Sequence, residues 1–249
     1  MNPPANADGP CKVGSRVAFF GGSFDPPHLG HLAVARAARD AFCLDWVLFA
    51  PVGSQPLKPE GSSASFEQRV AMTRLAIEGE RGFAISLADA PKATGQPNYT
   101  LETLKELRGG LGVDSVLYCL MGADSFFGLR RWHCAAEIPF VSPLIVASRP
   151  GEQLSELQNA LPEGLAIEAG AEADKVRVHA EVQAFSLVNR NGDRASFYVL
   201  PGLHVEISAS EIRNGIRTQV GAARAGQAAE KTLLPKAVAE YVQAHGLYR

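Results

Sequence analysis

A glycine turn followed by two histidines is the feature of this sequence that most constrains its fold. Residues 21–31 read Gly-Gly-Ser-Phe-Asp-Pro-Pro-His-Leu-Gly-His. They follow the apolar stretch Val17–Phe20 and lead into the alanine-rich segment His31–Ala41, so the predicted order is strand, turn, helix. In a parallel α/β sheet this order directs free backbone N–H groups and the positive end of a helix dipole at one point. The stretch therefore predicts an anion-binding site at the start of the first helix.

The residue types in this turn indicate that the anion is a phosphate. Gly21 and Gly22 lack a Cβ, so the backbone can approach a ligand closely. His28 and His31 are three positions apart and fall on one face of the first helical turn. Imidazole groups over a phosphate can stabilise charge on its oxygens while the phosphorus reacts. The pattern thus favours chemistry at phosphorus.

Apolar strand segments alternate with helical segments along the chain, which predicts an α/β fold. Strands separated by helices form βαβ units and a mainly parallel sheet. We therefore expect a Rossmann-like sheet flanked by helices. The predicted strands are Val17–Phe20, Trp46–Ala50, Val116–Met121, Leu144–Ala147 and Phe197–Leu200, and the predicted helices are His31–Ala41, Phe66–Glu78, Thr100–Arg108, Ser210–Ile216 and Pro235–His245.

The length of 249 residues allows one large domain or two small ones. The first ten residues lack the basic and apolar regions of a signal peptide, so none is expected there. We interpret 1–14 as a disordered tail before the first strand. A single domain is expected over 15–249. Within it, 151–196 is weakly patterned and is interpreted as a variable insertion that could hold a helix and a hairpin, with Asn191-Gly192 as the turn.

Charge and cysteine usage exclude several classes of partner. The net charge of −2 argues against broad binding to nucleic acid or to an anionic membrane surface, and no apolar run approaches a membrane span. The four cysteines, at positions 11, 43, 119 and 134, form no Cys-x-x-Cys pair and no zinc spacing, so reduced thiols in a cytoplasmic protein are expected. Cys43 and Cys119 are predicted to be buried, and Cys134 is predicted not to face its neighbour His133.

A second motif lies near the end of the chain, where Ile207–Arg213 reads Ile-Ser-Ala-Ser-Glu-Ile-Arg. Ser208 is a natural helix N-cap, and Glu211 stands three residues later, at the capping-box position. Hydroxyl groups and the fixed charge of Arg213 at a helix start suit a polyphosphate. Taken alone, the motif also fits an ordinary capped surface helix.

Together these motifs resemble the nicotinate-nucleotide adenylyltransferase family, within the nucleotidyltransferases that share a His-x-Gly-His signature. The whole stretch 21–31 is similar to that family's longer form of the signature. Ile207–Arg213 resembles the family's Ile-Ser-Ser-Thr-x-Ile-Arg motif, with Ala209 in place of a serine and Ser210 in place of the threonine. The resemblance covers about 16–150 and 197–249, and it implies a Rossmann-like nucleotidyltransferase.

The resemblance implies adenylyl transfer from ATP to nicotinate mononucleotide, which gives nicotinate adenine dinucleotide and pyrophosphate. His28, His31 and Arg213 would then be the catalytic residues. Mg²⁺ would be carried by ATP, with no dedicated metal site in the protein. The implied ATP-binding residues are Gly21, Gly22, Ser23, Phe24, His28, His31, Ile207, Ser208, Ser210 and Arg213.

The implied site for nicotinate mononucleotide comes from the middle of the chain. Pro97-Asn-Tyr-Thr100 is similar to the family's Pro-Ser-Tyr-Thr, and Trp132 stands where the family stacks a tryptophan on the nicotinate ring. His133, which follows Trp132, stands where relatives often carry a tyrosine. Taken alone, Lys58 also fits a solvated charge, and Thr100 and Asp124 also fit ordinary helix caps. The implied residues are Lys58, Thr100, Asp124, Trp132 and Arg149.

Two other functions stay open from the sequence. One is adenylyl transfer to another phosphate, such as phosphopantetheine, in a sister family that shares His-x-Gly-His but as a rule lacks the Pro-Asn-Tyr-Thr and Arg-Trp features. The other is a nucleotide-binding regulator without turnover, although the intact pair His28 and His31 argues against it. The sequence also leaves open a homo-oligomer and the strictness of the preference for nicotinate over nicotinamide.

Overall fold

A computed structural model describes residues 14–57, 60–148, 154–169, 182–200, 207–222 and 233–249. Their strands form one eight-stranded sheet in the order β3-β2-β1-β4-β5-β8-β7-β6. The strands are β1 Arg16–Gly22, β2 Trp46–Pro51, β3 Phe83–Ile85, β4 Val116–Gly122, β5 Leu144–Ala147, β6 Ala166–Ala169, β7 Gln183–Val188 and β8 Arg194–Leu200. The α-helices are α1 Leu29–Phe42, α2 Phe66–Ile77, α3 Thr100–Gly110, α4 Ala123–Phe127, α5 Ile138–Val141, α6 Leu154–Ala160, α7 Ala209–Ala222 and α8 Lys236–Ala244.

Strand β1 lies between β2 and β4 in the parallel part of the sheet, which runs from β3 to β8. The carboxyl ends of parallel strands share one edge, and open α/β sheets bind ligands there. The loops after β1, β2 and β4 therefore meet at that edge. The predicted α/β class with a mainly parallel sheet is confirmed.

Both faces of β1 are buried, which explains its continuous apolar sequence. Val17 and Phe19 pack into one core cluster, and Ala18 and Phe20 pack into another on the opposite face. This alternation follows from the two-residue period of a strand. The rigid strand fixes the start of the glycine turn.

A third apolar cluster joins α2 to the C-terminal helices. Met72 of α2 packs with Ile212 of α7, with Val238 and Val242 of α8, and with Tyr248 near the chain end. The cluster thus holds the last part of the chain over α2. It positions two polar groups of the site, the Arg213 guanidinium and the Tyr248 hydroxyl.

The segment 151–196 contributes a helix and edge strands to the sheet. The predicted hairpin is present as β7 and β8, and its turn contains Gly192 at φ 84°. Strand β6 pairs antiparallel with β7 at the sheet edge. The short strand β3 and the short helices α4 and α5 are additions to the predicted elements. The predicted tail, up to residue 13, lies outside the described residues.

Two predictions about cysteines were wrong. Cys43 is exposed, because it ends α1 in the left-handed conformation (φ 48°) and leaves the apolar face of that helix. Cys134 does face His133, with its Sγ 3.4 Å from the ring Nε2, because a left-handed backbone at Cys134 (φ 47°) turns the side chain back. Cys119 is buried, as predicted. Within the described ranges, no helix has the length and apolar character that a membrane crossing requires.

Candidate active site

The loop between β1 and α1 brings the two predicted histidines together. His28 is the N-cap of α1, and its backbone N–H donates to Nδ1 of His31 at 3.1 Å. Their rings stack with centroids 3.7 Å apart. Helix α1 begins at Leu29, two residues earlier than predicted. The pair therefore forms a single imidazole cluster at a helix N-terminus.

Burial keeps both imidazoles neutral at neutral pH. His28 is 6% exposed, and burial lowers its pKa to about 4. Burial also lowers the pKa of His31, and the neighbouring His28 adds to that effect. Because Nδ1 of His31 accepts a hydrogen bond, its neutral ring carries the proton on Nε2. Nδ1 of His28 makes no hydrogen bond with any described residue. The cluster can therefore act through hydrogen bonds without carrying a charge.

The side chain of Phe24 packs against the His31 ring. Phe24 adopts the left-handed conformation (φ 47°), and its buried ring lies 4.9 Å from the His31 ring in an edge-to-face contact. Only the backbone of Phe24 is left to contact a ligand. At Gly21, a Cβ would lie 2.8 Å from the Phe19 ring, so this position requires glycine.

The C-terminal motif reaches the same loop. The N–H of Glu211 donates to Oγ of Ser208 at 3.3 Å, so Ser208 is the N-cap of α7, as predicted. Arg213 donates through Nη1 to the carbonyl oxygen of Asp25 at 2.7 Å and through Nη2 to Oγ of Ser210 at 3.2 Å. Ile207 packs against the third apolar cluster, so its side chain faces the protein. The fold thus joins two motifs that lie 188 positions apart.

A cavity of about 300 Å³ opens beside the glycine turn at the carboxyl edge of the sheet. Its volume lies at the lower end of the range for small-molecule sites. Two predicted residues, Lys58 and Arg149, lie outside the described residues. Six other predicted site residues line the cavity: Gly21, Gly22, Ser23, Thr100, Asp124 and Trp132.

One end of this cavity is aromatic. Trp132 follows a short 3₁₀ helix and is half-buried against the core. The rings of Tyr99 and His133 lie beside it with centroids 4.4 Å apart, and both line the cavity. The interpretation of Thr100 as a helix cap was wrong, because Tyr99 holds the N-cap position of α3 and Thr100 is its first residue. Flat aromatic faces of this kind suit a planar heterocycle.

The cavity wall contains polar residues that sequence reasoning missed. Asp89 lines the cavity although it is buried, and its Oδ1 accepts a hydrogen bond from the hydroxyl of Thr103. Burial raises the pKa of the Asp89 carboxyl, and it raises the pKa of the Cys119 thiol in the same wall to about 12. Gln55 also lines the cavity and donates from Nε2 to Oγ of Ser23 at 2.6 Å. Single polar residues in loops carry no periodic signal that would have marked them.

Arg69 fixes the two loops that border the cavity. Its buried guanidinium donates from Nη1 to the carbonyl of Ser23 and from Nη2 to the carbonyl of Val52, both at 2.7 Å. These carbonyls follow β1 and β2. A buried arginine thus satisfies backbone groups that a ligand-binding edge leaves unpaired.

Asn98 fixes the far side of the same edge. Its Nδ2 donates to the carbonyl of Ala90 at 2.9 Å, and its Oδ1 accepts from the N–H of Ser54 at 3.0 Å.

In the part of the chain that the structure describes, no three His, Cys, Asp or Glu side chains are grouped so that they could hold a metal ion. The assembled site therefore offers backbone N–H groups, imidazoles, hydroxyls and arginine.

Comparison with known proteins agrees with this geometry. The chain matches the cytidylyltransferase-like family over residues 19–215. A probable nicotinate-nucleotide adenylyltransferase of Stenotrophomonas maltophilia (strain K279a) is 37% identical over 93% of this chain and 96% of its own length. Another, of Gloeobacter violaceus (strain ATCC 29082 / PCC 7421), is 36% identical over 95% and 97%.

A solved structure supports the fold. The Plasmodium falciparum nicotinic acid mononucleotide adenylyltransferase complexed with NaAD superimposes with a TM-score of 0.63 at 15% identity, over 94% of this chain and 97% of that one. Fold and site together define a nucleotidyltransferase with the α/β architecture. Within that class, the chain belongs to the nicotinate-nucleotide adenylyltransferase family of enzymes, which confirms the predicted family.

Proposed function

We propose that this enzyme transfers the adenylyl group of ATP to nicotinate mononucleotide and releases nicotinate adenine dinucleotide and pyrophosphate. The observation that carries the proposal is the contact between Arg213 and the carbonyl of Asp25 at 2.7 Å, which joins the C-terminal motif to the histidine loop. The aromatic cavity opens beside the same loop. A triphosphate site thus adjoins a site for a flat ring.

The proposed reaction needs no protein nucleophile. The 5′-phosphate of the mononucleotide attacks the α-phosphorus of ATP in line, one P–O bond forms, and the bond to pyrophosphate breaks. Catalysis is then mainly positioning and stabilisation of charge. Neutral imidazoles of His28 and His31 would donate hydrogen bonds to the α- and β-phosphate oxygens as charge develops there. Arg213 would add a fixed positive charge.

The proposed ATP site consists largely of backbone. The N–H groups of Gly21, Gly22, Ser23 and Phe24 approach the phosphates, and Ser208 and Ser210 add hydroxyls near the start of α7. The backbone at Ile207 would contact the adenosine part. We propose that Mg²⁺ enters with the triphosphate, because Mg²⁺ is usually held by substrate phosphates and water and not by a protein cage.

The proposed mononucleotide site is the cavity. Trp132 would stack on the pyridine ring, Thr100 at the start of α3 would lie near its carboxylate, and Asp124 would contact a ribose. Lys58 and Arg149 are proposed for the same site from sequence resemblance alone. N–H donors around the ring substituent would favour a carboxylate over a neutral amide, since charge-assisted hydrogen bonds are the stronger ones.

We further propose that 15–249 form one catalytic domain with an insertion at about 151–196. The single sheet that continues from β5 through β8 to β6 supports this organisation. Because both substrates are intracellular metabolites, the proposed activity is a cytoplasmic one. A homo-oligomer is compatible with the proposal, and the reaction does not require it.

Pyrophosphate release tests the proposed function directly. The purified protein is assayed with ATP and, in turn, with nicotinate mononucleotide, nicotinamide mononucleotide and phosphopantetheine. We expect turnover with nicotinate mononucleotide and about a 10- to 100-fold lower kcat/KM with the nicotinamide compound, as for one or two charge-assisted bonds. Turnover with phosphopantetheine alone would support the sister activity. ATP binding without turnover on any acceptor would support a regulator.

A further inference from the structure

A buried carboxylate lies at the centre of the histidine loop. Asp25, three residues before His28, is 4% exposed. Its Oδ1 accepts hydrogen bonds from the hydroxyl of Tyr248 at 2.7 Å and from the N–H of Ala64 at 3.1 Å. Its Oδ2 accepts from the N–H of Ser63 at 2.6 Å. The side chain is therefore held from two directions, by the loop before α2 and by the end of the chain.

The C-terminal part of the chain also holds the backbone of this loop. Arg213 of α7 donates to the carbonyl of Asp25 itself. The carbonyl of Leu233 accepts a hydrogen bond from the N–H of Leu29, the first residue of α1, at 3.0 Å. With Tyr248, these contacts flank both sides of His28. The loop is thus fixed by α7 and by residues 233–249 as well as by the sheet.

We propose that Tyr248 and Asp25 form a positioning pair that holds His28 and His31 in their reactive arrangement. Tyr248, the next-to-last residue of this sequence, would then support the active site of the function proposed above. The pair acts through the loop and not on the substrate, since both residues are buried and the Asp25 carboxylate is bonded to the Tyr248 hydroxyl and to the loop before α2.

The environment of Tyr248 suits a fixed hydrogen-bond donor. Its ring is buried in the third apolar cluster, and its hydroxyl oxygen lies 3.9 Å from Sδ of Met72. Burial and the adjacent Asp25 carboxylate both raise the pKa of the Tyr248 hydroxyl, so it stays protonated. A buried donor on a buried carboxylate gives a strong, directional bond.

Removing only the hydroxyl tests the pair with little change in packing. In Tyr248→Phe the ring stays in the third cluster while Asp25 loses one of its three hydrogen bonds. We expect kcat to fall about tenfold with KM for both substrates within about twofold, because small misplacement of reacting groups slows the chemical step. Tyr241→Phe is the matched control, since Tyr241 packs on the same cluster and its ring stacks on His245.

The second arm does not depend on turnover. Side-chain NMR signals of His28 and His31 are compared among wild type, Tyr248→Phe and Tyr241→Phe, and we expect them to move only in Tyr248→Phe. In a double-mutant comparison, Asp25→Asn with Tyr248→Phe should be no slower than Asp25→Asn alone, since Tyr248 acts through Asp25.

Three results would overturn the proposal. Unchanged kcat and unchanged histidine signals in a folded Tyr248→Phe would show that the hydroxyl does not position the loop. A parallel rise of both KM values with kcat intact, or an equal effect of Tyr241→Phe, would assign the segment a general packing role. If the wild type fails to use nicotinate mononucleotide, the proposed function fails while the NMR comparison still decides on the pair.

Discussion

The proposed phosphate side and the proposed pyridine side of the site are held in different ways. On the phosphate side, His28, Asp25 and Arg69 are buried, and the side chains of Asp25 and Arg69 are joined to backbone groups through short hydrogen bonds. On the pyridine side, Asp124 and His133 are exposed, and Trp132 is half-buried under a loop. One side is built like a protein core and the other like a surface cleft.

The difference follows from what each side must do. Charge develops on phosphate oxygens during the transfer, and donors that are already fixed stabilise it without reorganisation. The acceptor must enter and the dinucleotide product must leave, so its side can stay open. We therefore expect substitutions on the buried side to affect the chemical step or stability and those on the open side to affect the binding of one substrate.

The largest expected effect is on the buried side, at His31. His31→Ala should lower kcat about 100-fold or more, the scale of one lost transition-state donor. Steady-state assays with both substrates saturating measure the effect, and circular dichroism checks the fold. His31→Gln, which keeps an N–H donor, should retain more activity than His31→Ala. A folded His31→Ala enzyme with near-normal kcat would contradict the proposed role.

A second prediction concerns pH and the stability of the buried side. The pKa of His28 is about 4 in the folded chain and 6.5 in its ordinary state. Above pH 6.5 the ring is neutral in both states; between the two values only the unfolded state is protonated, so stability falls as the pH falls. The free energy of unfolding falls by about 3 kcal/mol between pH 7 and pH 4 through this group.

Urea unfolding at pH 7 and at pH 4.5 measures this loss. His28→Gln should lose less stability than wild type between these pH values. The matched control is His133→Gln on the exposed side, which should follow the wild-type dependence. An unchanged pH dependence in His28→Gln would show that this ring is not buried in its neutral form.

The sequence predicts the two sides unequally, for a physical reason. The turn 21–31 and the helix start at Ser208 are local, so glycines, caps and helix periodicity reveal them. The bond between Tyr248 and Asp25 spans 223 positions, and a hydrogen bond between distant residues leaves no periodic trace. The partners of Arg69 are equally non-local, and only the fold shows that its guanidinium binds two carbonyls.

Two structural details could not be predicted from the motifs. Phe24 belongs to the signature, yet its ring packs under His31 and only its backbone is free to bind. The strand β3 has three residues, too few for an alternating pattern to appear. In both cases the packing in the folded chain decides the outcome, and the local sequence carries little of that information.

Arg213 belongs to the proposed phosphate side, is half-buried and also supports the histidine loop, so its substitution separates ATP binding from loop support. Arg213→Ala should raise KM for ATP about 10- to 100-fold, as for a lost charge-assisted bond, and KM for the mononucleotide less than threefold. Arg213→Lys should restore only part of the affinity for ATP, because one ammonium group cannot reproduce the bonds to both the Asp25 carbonyl and Ser210. Equal increases in both KM values would assign Arg213 to folding of the loop.

The smallest expected effect is on the open side, at Trp132. Trp132→Ala should raise KM for nicotinate mononucleotide about tenfold, because it removes the face on which the pyridine would stack. KM for ATP should stay within about twofold, since Trp132 lines the cavity while His28, His31 and Arg213 do not. Trp132→Phe keeps a smaller aromatic face, so its KM for nicotinate mononucleotide should lie between those of wild type and Trp132→Ala. Steady-state titration of each substrate measures the split, and a comparable rise in both KM values would mean that the open side is coupled to the buried side after all.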